Sequence, residues 1–333
     1  MVRVAINGFG RIGRQVFQIA LKTKGIDIIA INDLTDTKTL ANLLKFDSVY
    51  GRFDGKVSYD NNNNIIINNR KIPCFAEKDP EVLPWKRLRI DVVAECTGFF
   101  TNRDGASKHL KAGAKKVLIS APAKHPDITV VKGVNLSLYN KSKHNIISNA
   151  SCTTNCISPM VKILNDEFGI LKGYLNTVHA YTATQKLVDS PDVKDLRRGR
   201  AAAVNIVPTT TGAAETVIET IPALKGKLTG LAMRVPVICG SICQFSAVLK
   251  KSVTVDEINA AFRRLAETKM KGIVEYSTDS LVSTDIIQNS ASCIFDSKLT
   301  QVVDNNFVSI CGWYDNEWGY SSRMVDVIKH LMK

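Results

Sequence analysis

The chemistry worth looking for begins at a cysteine set among small hydrogen-bonding residues. In Ser148-Asn149-Ala150-Ser151-Cys152-Thr153-Thr154-Asn155-Cys156, Ser, Thr and Asn surround Cys152 in place of aliphatics, where a strand gives way to a helix. A thiol at a helix N-terminus faces the positive end of the helix dipole, which favours the thiolate, so a lowered pKa is expected at Cys152. Cys156, one turn on, faces the same side but lies deeper and outside that field. Cys96, Cys293 and Cys311 read as buried apolar filler. A thiol nucleophile needs a base nearby, and among five histidines His179 is the candidate. It lies in Asn176-Thr177-Val178-His179-Ala180-Tyr181-Thr182, an alternating strand with small and polar neighbours. His109, His125, His144 and His330 stand beside lysines or in polar contexts and are expected in solvent. A four-thiolate zinc site from Cys152, Cys156, Cys239 and Cys243 is the metal alternative. Three intervening residues are atypical where two are commoner, so no metal is expected.

A second constellation opens the chain. Gly8-Phe9-Gly10-Arg11-Ile12-Gly13 fits G-x-G-x-x-G directly after the strand Val2 to Ile6 and at the start of a helix, Arg11 to Lys22. Such glycines permit a tight turn and a close backbone approach, and the helix end offers free N–H groups to a pyrophosphate. Asp33 ends a second strand, Asp27 to Ile31, twenty residues after Gly13. A carboxylate there accepts hydrogen bonds from ribose hydroxyls and repels a 2′-phosphate, so NAD is expected over NADP. The competing role for Asp33 is to cap the next turn.

These sites need elements to hold them. Short β-branched runs alternate with helical segments through the first 150 residues, the pattern of a parallel sheet with crossover helices. Further strands are expected at Asp91 to Ala94 and Lys116 to Ile119, and Asn61 to Asn64 reads as a polar hairpin tip. The character shifts near residue 150. A helix starts at Cys152, and strand-like runs follow at Gly173 to Thr182, Gly230 to Arg234 and Ser246 to Leu249. Val255 to Thr268 is an amphipathic helix with Ile258, Ala261, Phe262 and Leu265 on one face. Residues 183–206 are polar and Gly/Pro-punctuated, a long ordered loop of the kind that is usually functional. The chain ends in a helix from roughly Tyr320 to Met332.

Composition excludes several classes. The 333 residues are 45% hydrophobic and 23% charged, ordinary for a folded globular chain and too long for one comfortable core. The richest apolar stretch, Leu231 to Leu249, is broken by Arg234, Pro236, Gly240 and Gln244, so no membrane insertion is expected. No signal peptide is read at the start, and eight cysteines without regular spacing suit a reducing, cytoplasmic setting. The net charge of +13 fits either polyanion binding or an enzyme of phosphorylated small molecules. Lys and Arg form no block, so no specific nucleic-acid partner is expected.

Taken together, these motifs resemble phosphorylating glyceraldehyde-3-phosphate dehydrogenases of the glycolytic type. The resemblance runs nearly end to end, through Asn7 to Arg14, Ser148 to Cys156, His179 to Gln185, Pro208-Thr-Thr-Thr-Gly-Ala-Ala214 and Trp313-Tyr-Asp-Asn-Glu-Trp-Gly-Tyr-Ser321. It implies an α/β fold, with a Rossmann-type doubly wound nucleotide domain over 1–150 and 317–333. A catalytic α+β domain with a mostly antiparallel sheet would span 151–316.

The implied reaction has Cys152 attack an aldehyde to form a hemithioacetal, which His179 helps convert to a thioester as hydride leaves for NAD. Inorganic phosphate would then cleave the thioester. For the two anions, glyceraldehyde 3-phosphate and phosphate, the resemblance points to Thr182, Arg197 and Arg234 together with Ser151, Thr153, Thr211 and Gly212. Around the cofactor it points to Gly8, Gly10, Arg11, Ile12, Gly13, Asp33, Lys78, Ser120 and Asn316. It also implies a homotetramer in which the 183–206 loop lies against a neighbour's cofactor. Pro191 and Asp33 resemble the NAD-using branch. A dehydrogenase of erythrose 4-phosphate keeps the same nucleophile and base and is the alternative within the class. The segments Lys124 to Ile128 and Val237 to Cys243 depart from the usual pattern.

Overall fold

The computed structural model describes residues 1–333. The chain divides into two compact units, one of residues 1–130, 138–150 and 321–333, the other of 131–137 and 151–320. The first unit is built on a nine-stranded sheet. In order across the sheet its strands are 128–129, 146–148, 116–119, 92–95, 2–7, 26–32, 70–75, 64–67 and 57–59. The first seven run parallel, and the last two turn back as an antiparallel hairpin. Chain order reverses at Val2–Asn7, which has Ile26–Asn32 on one side and Val92–Glu95 on the other. In open parallel sheets the crevice at the carboxyl ends of such a pair is where ligands bind.

Val92–Glu95 and Lys116–Ile119 are buried throughout, as strands covered on both faces must be. Between the hairpin strands, Asp60 accepts from the N–H groups of Asn62 and Asn64, and Asn63 turns the chain at φ 56°. The asparagine run is thus a hairpin tip held by its own side chains.

The second unit carries a seven-stranded mixed sheet in the order 207–209, 228–235, 170–180, 241–249, 307–314, 293–303, 274–277. Four of its six pairings are antiparallel. The parallel ones join Ile170–Ala180 to Leu228–Val235, and Val274–Ser277 to Cys293–Val303. The helices Cys152–Phe168 and Val255–Glu267 cover one face. Cys156, Met160 and Leu164 from the first, and Ile258, Phe262 and Leu265 from the second, join Phe295, Val308 and Ile310 in one core. Phe262 and Phe295 stack at 3.9 Å, worth about 1 kcal/mol beyond their buried area. Thr254 and Glu257 close a capping box at the start of the second helix.

The unit boundaries differ from the expected division at two short segments. Residues 131–137 leave the nucleotide unit because Val134 packs on the second core, and a Cβ on Gly133 would meet Ile273 at 2.8 Å. Residues 317–320 leave it because Asp315 caps the last helix through the N–H groups of Glu317 and Trp318. From residue 321 the last helix, Trp318–Leu331, belongs to the first unit, where Tyr139 donates to the Leu331 carbonyl.

Candidate active site

Cys152 is the first residue of its helix, and Ser151 is the N-cap, its hydroxyl accepting from the Thr154 N–H at 3.0 Å. His179 and Arg234 are direct partners on neighbouring parallel strands, so the register alone sets them side by side. Cys152 Sγ lies 3.4 Å from His179 Nε2. On the far side of the ring, Nδ1 sits 2.6 Å from the Ala180 carbonyl and 2.8 Å from Arg234 Nη1, which also donates to that carbonyl at 3.1 Å. The shorter contact, to the Ala180 carbonyl, sets the proton on Nδ1 and leaves the Nε2 lone pair for the thiol; Arg234 then stands beside the ring as a charge, with its own hydrogen bond going to the Ala180 carbonyl. The Tyr314 ring packs edge-on against the imidazole at 6.0 Å, and its hydroxyl joins the hydroxyls of Thr153 at 2.9 Å and Thr177 at 3.0 Å.

The expected lowering of the Cys152 pKa is reversed. Burial pushes the thiol up to about 11, against the opposing pull of Arg234 and of the Thr153 N–H and hydroxyl. Burial also takes the His179 imidazole down to about 3, with the Arg234 charge adding to the effect. A helix-end field is a fraction of a charge, and it loses to the removal of water around sulfur. At rest the proton therefore stays on sulfur, and the histidine waits as a neutral base.

Two groups of anion-binding candidates lie in the same unit as this pair. Ser151 opens the Cys152 helix, and Gly212, which has no side chain to cap with, opens the helix Ala213–Thr220. Thr211 stands beside Gly212, its hydroxyl accepting from the Ala213 N–H at 3.2 Å. Helix starts with adjacent hydroxyls suit phosphate oxygens. Thr153 is buried, its hydroxyl on Tyr314, and its N–H and hydroxyl also favour the Cys152 thiolate.

Thr182 is hydrogen-bonded to Thr184 at 3.0 Å, and Thr184 receives Arg198 Nη2 at 2.6 Å. Arg198, and not the expected Arg197, lies in electrostatic range of Arg234. Arg197 is exposed. Asp195 caps the short turn Leu196–Gly199 and accepts from Thr209 at 2.6 Å, which fastens the loop that carries both arginines. Adjacent arginines in a run look alike by type, and only their placement tells them apart.

The dinucleotide candidates lie in the first unit. A cleft of about 580 Å³ is lined by Asn7, Gly8, Gly10, Asn32, Asp33, Lys78, Cys96, Thr97 and Phe99, among others. Gly8 adopts φ +89°, and a Cβ on Gly13 would fall 2.0 Å from the Gly8 carbonyl oxygen, so the glycine turn rests directly on the helix. At Gly10 the helix start has no side-chain cap and open space before it, as an anion would require. Asp33 accepts from the Phe9 N–H at 2.7 Å and the Thr35 N–H at 2.9 Å. It therefore does cap its turn, yet it lines the cleft with acceptor capacity left on both oxygens.

Other candidates fall elsewhere. Arg11 pairs with Asp47 and lies over Tyr50. Ile12 is half-buried on the first helix. Ser120 gives its N–H to the Glu95 carbonyl at 2.9 Å, outside the cleft lining. Asn316 is in the second unit, where Oδ1 accepts from the Gly240 N–H at 3.1 Å and the Ser241 hydroxyl at 3.0 Å. The unusual 237–243 segment thus holds a candidate residue. Cys96, expected as filler, lines the cleft. His109, expected in solvent, is fully buried, and with it Glu95, Trp85, Asn32 and Asn7 form a polar cluster that the residue types gave no sign of.

Comparison with known proteins meets the geometry at this point. The model of the glyceraldehyde 3-phosphate dehydrogenase NAD binding domain matches residues 2–103, and that of the C-terminal domain matches residues 151–316. A glyceraldehyde-3-phosphate dehydrogenase of Geobacillus stearothermophilus is 53% identical over 330 residues, covering 99% of this chain and 98% of its own. Those of Streptomyces coelicolor and Bacillus subtilis are 53% and 51% identical, covering 98% and 100% of this chain and 97% and 98% of theirs. With an NAD-binding domain model on its first unit and the C-terminal domain model on its second, the chain belongs to the glyceraldehyde-3-phosphate dehydrogenase family.

Proposed function

We propose that the protein catalyses the NAD-dependent oxidative phosphorylation of D-glyceraldehyde 3-phosphate to 1,3-bisphosphoglycerate through a thioester on Cys152. The observation that carries this reading is the Cys152 thiol 3.4 Å from a buried neutral imidazole, itself flanked by the Arg234 guanidinium. The sulfur attacks the aldehyde carbon while its proton crosses to His179 Nε2. The carbonyl oxygen, now an oxyanion, meets the Cys152 N–H at the helix start and the protonated Nε2, and takes the proton back to give the hemithioacetal. His179 then removes the hydroxyl proton as the carbon is oxidised. NAD supplies the hydride acceptor for that step. Oxidation on sulfur keeps the carbonyl activated, where direct oxidation to the acid would not. Phosphate adds to the thioester carbonyl, the C–S bond breaks, and His179 returns its proton to sulfur.

Thr182, Arg234 and Arg198 suit one of the two phosphates, and Ser151, Thr211 and Gly212 at two helix starts suit the other. In the first unit Gly8, Gly10, Gly13, Asp33 and Lys78 would hold the dinucleotide, with Asp33 on the adenosine ribose.

The reading extends to a homotetramer. Leu187, Val188, Val193, Leu196, Val204 and Ile206 are all exposed on the 183–206 loop, and Val193 is 95% exposed. Apolar exposure gathered on one loop suits an interface between subunits. No helix is long and apolar enough to cross a membrane, and a cytoplasmic setting fits the eight free thiols. The test is NADH formation from glyceraldehyde 3-phosphate with and without phosphate. Sustained turnover should require phosphate and vanish in Cys152→Ser while NAD binding survives. Turnover in that variant, or indifference to phosphate, overturns the reading.

A further inference from the structure

Three separate segments of the dinucleotide cleft converge on one buried carboxylate. Glu95 ends the strand Val92–Glu95 directly opposite Asn7, at the pair of strands where chain order reverses. Its side chain is inaccessible to solvent, and its one ionisable partner is His109, equally buried. Oε2 accepts from His109 Nε2 at 3.0 Å and from Asn7 Nδ2 at 2.5 Å. Oε1 accepts from the Thr97 N–H at 2.8 Å and from the Thr97 hydroxyl.

The tautomer of His109 follows from its other neighbour. Trp85 Nε1, which can only donate, lies 3.0 Å from His109 Nδ1, so Nδ1 is the acceptor and the proton is on Nε2, pointing at Glu95. Trp85 and Phe100 hold the ring from its face and edge.

Two of the donors, Asn7 and Thr97, lead to pieces of the cleft wall. Asn7 precedes the glycine turn, and its Oδ1 accepts from Asn32 Nδ2 at 2.7 Å. Asn32 in turn grips the backbone of Glu77, donating to its carbonyl at 3.0 Å and accepting from its N–H at 2.9 Å. Thr97 leads into the Phe99 segment, its hydroxyl accepting from the Phe99 N–H at 3.0 Å. Asn7, Asn32, Glu77, Thr97 and Phe99 all line the cleft. A buried carboxylate without a cation is costly unless its lone pairs are met, and a core needing only packing would use an apolar group.

We propose that Glu95 and His109 are positioning residues for the dinucleotide, holding the glycine turn, the Glu77 segment and the Thr97–Phe99 segment in the binding-competent arrangement. The proposal rests on reading this cleft as the NAD site. Such preorganisation removes ordering cost from binding and leaves the thiol chemistry of the other unit alone.

The experiment is NAD titration of the full-length protein carrying Glu95→Gln or His109→Phe, with Asp33→Ala alongside. Glu95→Gln keeps the shape but turns an N–H₂ toward groups that donate. NAD affinity should fall at least tenfold in both network variants. At saturating NAD, kcat should stay within twofold, and Cys152 alkylation without cofactor should be unchanged. Affinity within twofold of the parent in Glu95→Gln overturns the proposal, as does a parallel loss of alkylation and kcat.

Should His109→Phe not fold, a cycle of Glu95→Gln with Asn32→Ala decides. The double variant should bind NAD no worse than the weaker single, and additive losses overturn the relay. Weaker binding in Asp33→Ala with intact binding in the network variants discards the positioning role alone. Unchanged binding in Asp33→Ala discards the reading of the cleft.

Discussion

Replacing His179 by Asn should change the shape of the pH profile for Cys152 alkylation, and the structure supplies the size of the change. Burial sets the thiol at about 11 and the imidazole at about 3. Moving the proton from sulfur to nitrogen therefore crosses eight units, roughly 11 kcal/mol. The transfer creates opposite charges 3.4 Å apart, whose attraction at an effective dielectric near 20 is about 5 kcal/mol. The ion pair thus lies about 6 kcal/mol above the neutral pair, a population on the order of one in ten thousand to one in a hundred thousand, and forming it releases no proton to solvent.

That fraction is independent of pH above the imidazole pKa. Thiolate formed by losing a proton to water instead falls tenfold per unit below 11, to about one in a million at pH 5. The two routes cross at about pH 6–7. Alkylation of the parent protein should flatten below that range, while His179→Asn should keep falling. The parent should lead by roughly tenfold or more at pH 5, and the two should converge at alkaline pH. Iodoacetamide kinetics from pH 5 to 10, with the labelled peptide identified, make the test. Parallel profiles, or a plateau in the variant, would refute the base role of His179 and the energetics behind it.

Three further outcomes follow from particular contacts. Asp33→Ala should narrow the preference for NAD over NADP at least tenfold, because a carboxylate that repels a 2′-phosphate is gone; an unchanged ratio of kcat/KM values contradicts that role. Arg198→Ala should raise KM for the phosphorylated aldehyde by tenfold or more, while Arg197→Ala should change it less than twofold, and the reverse order in steady-state kinetics would count against the loop geometry. Tyr314→Phe removes the hydroxyl that bridges Thr153 and Thr177, at a cost of about 1–3 kcal/mol for a buried donor and acceptor left unpaired. Urea melts read this directly, and a variant as stable as the parent would contradict the network.

The readable parts of the sequence were those with local causes. The glycine turn followed from spacing next to a strand, the Cys152 helix from Ser151 and its small neighbours, and Val255–Glu267 from its apolar face. Pairing Cys152 with His179 rested on what a thiol needs. The features not visible were those set by tertiary register or burial. Arg234 meets His179 because their strands run parallel and align, which no local pattern reveals. Arg197 is exposed while Arg198 reaches Thr184, a difference of tertiary placement that a run of arginines does not reveal. His109 follows a lysine in the chain, on a helix with little apolar surface, yet it faces inward to Trp85 and Glu95. The thiol pKa was misjudged because a helix terminus can be read in sequence, whereas the desolvation that outweighs it is a property of everything packed around the sulfur.

Mixing the protein with NAD and glyceraldehyde 3-phosphate in the absence of phosphate, followed by acid quench and peptide mass mapping, observes the acylated sulfur itself. A phosphoglyceroyl group should appear on the peptide carrying Cys152 and disappear when phosphate is added before the quench. No adduct, or one that maps to another of the eight cysteines, would contradict a thioester on Cys152.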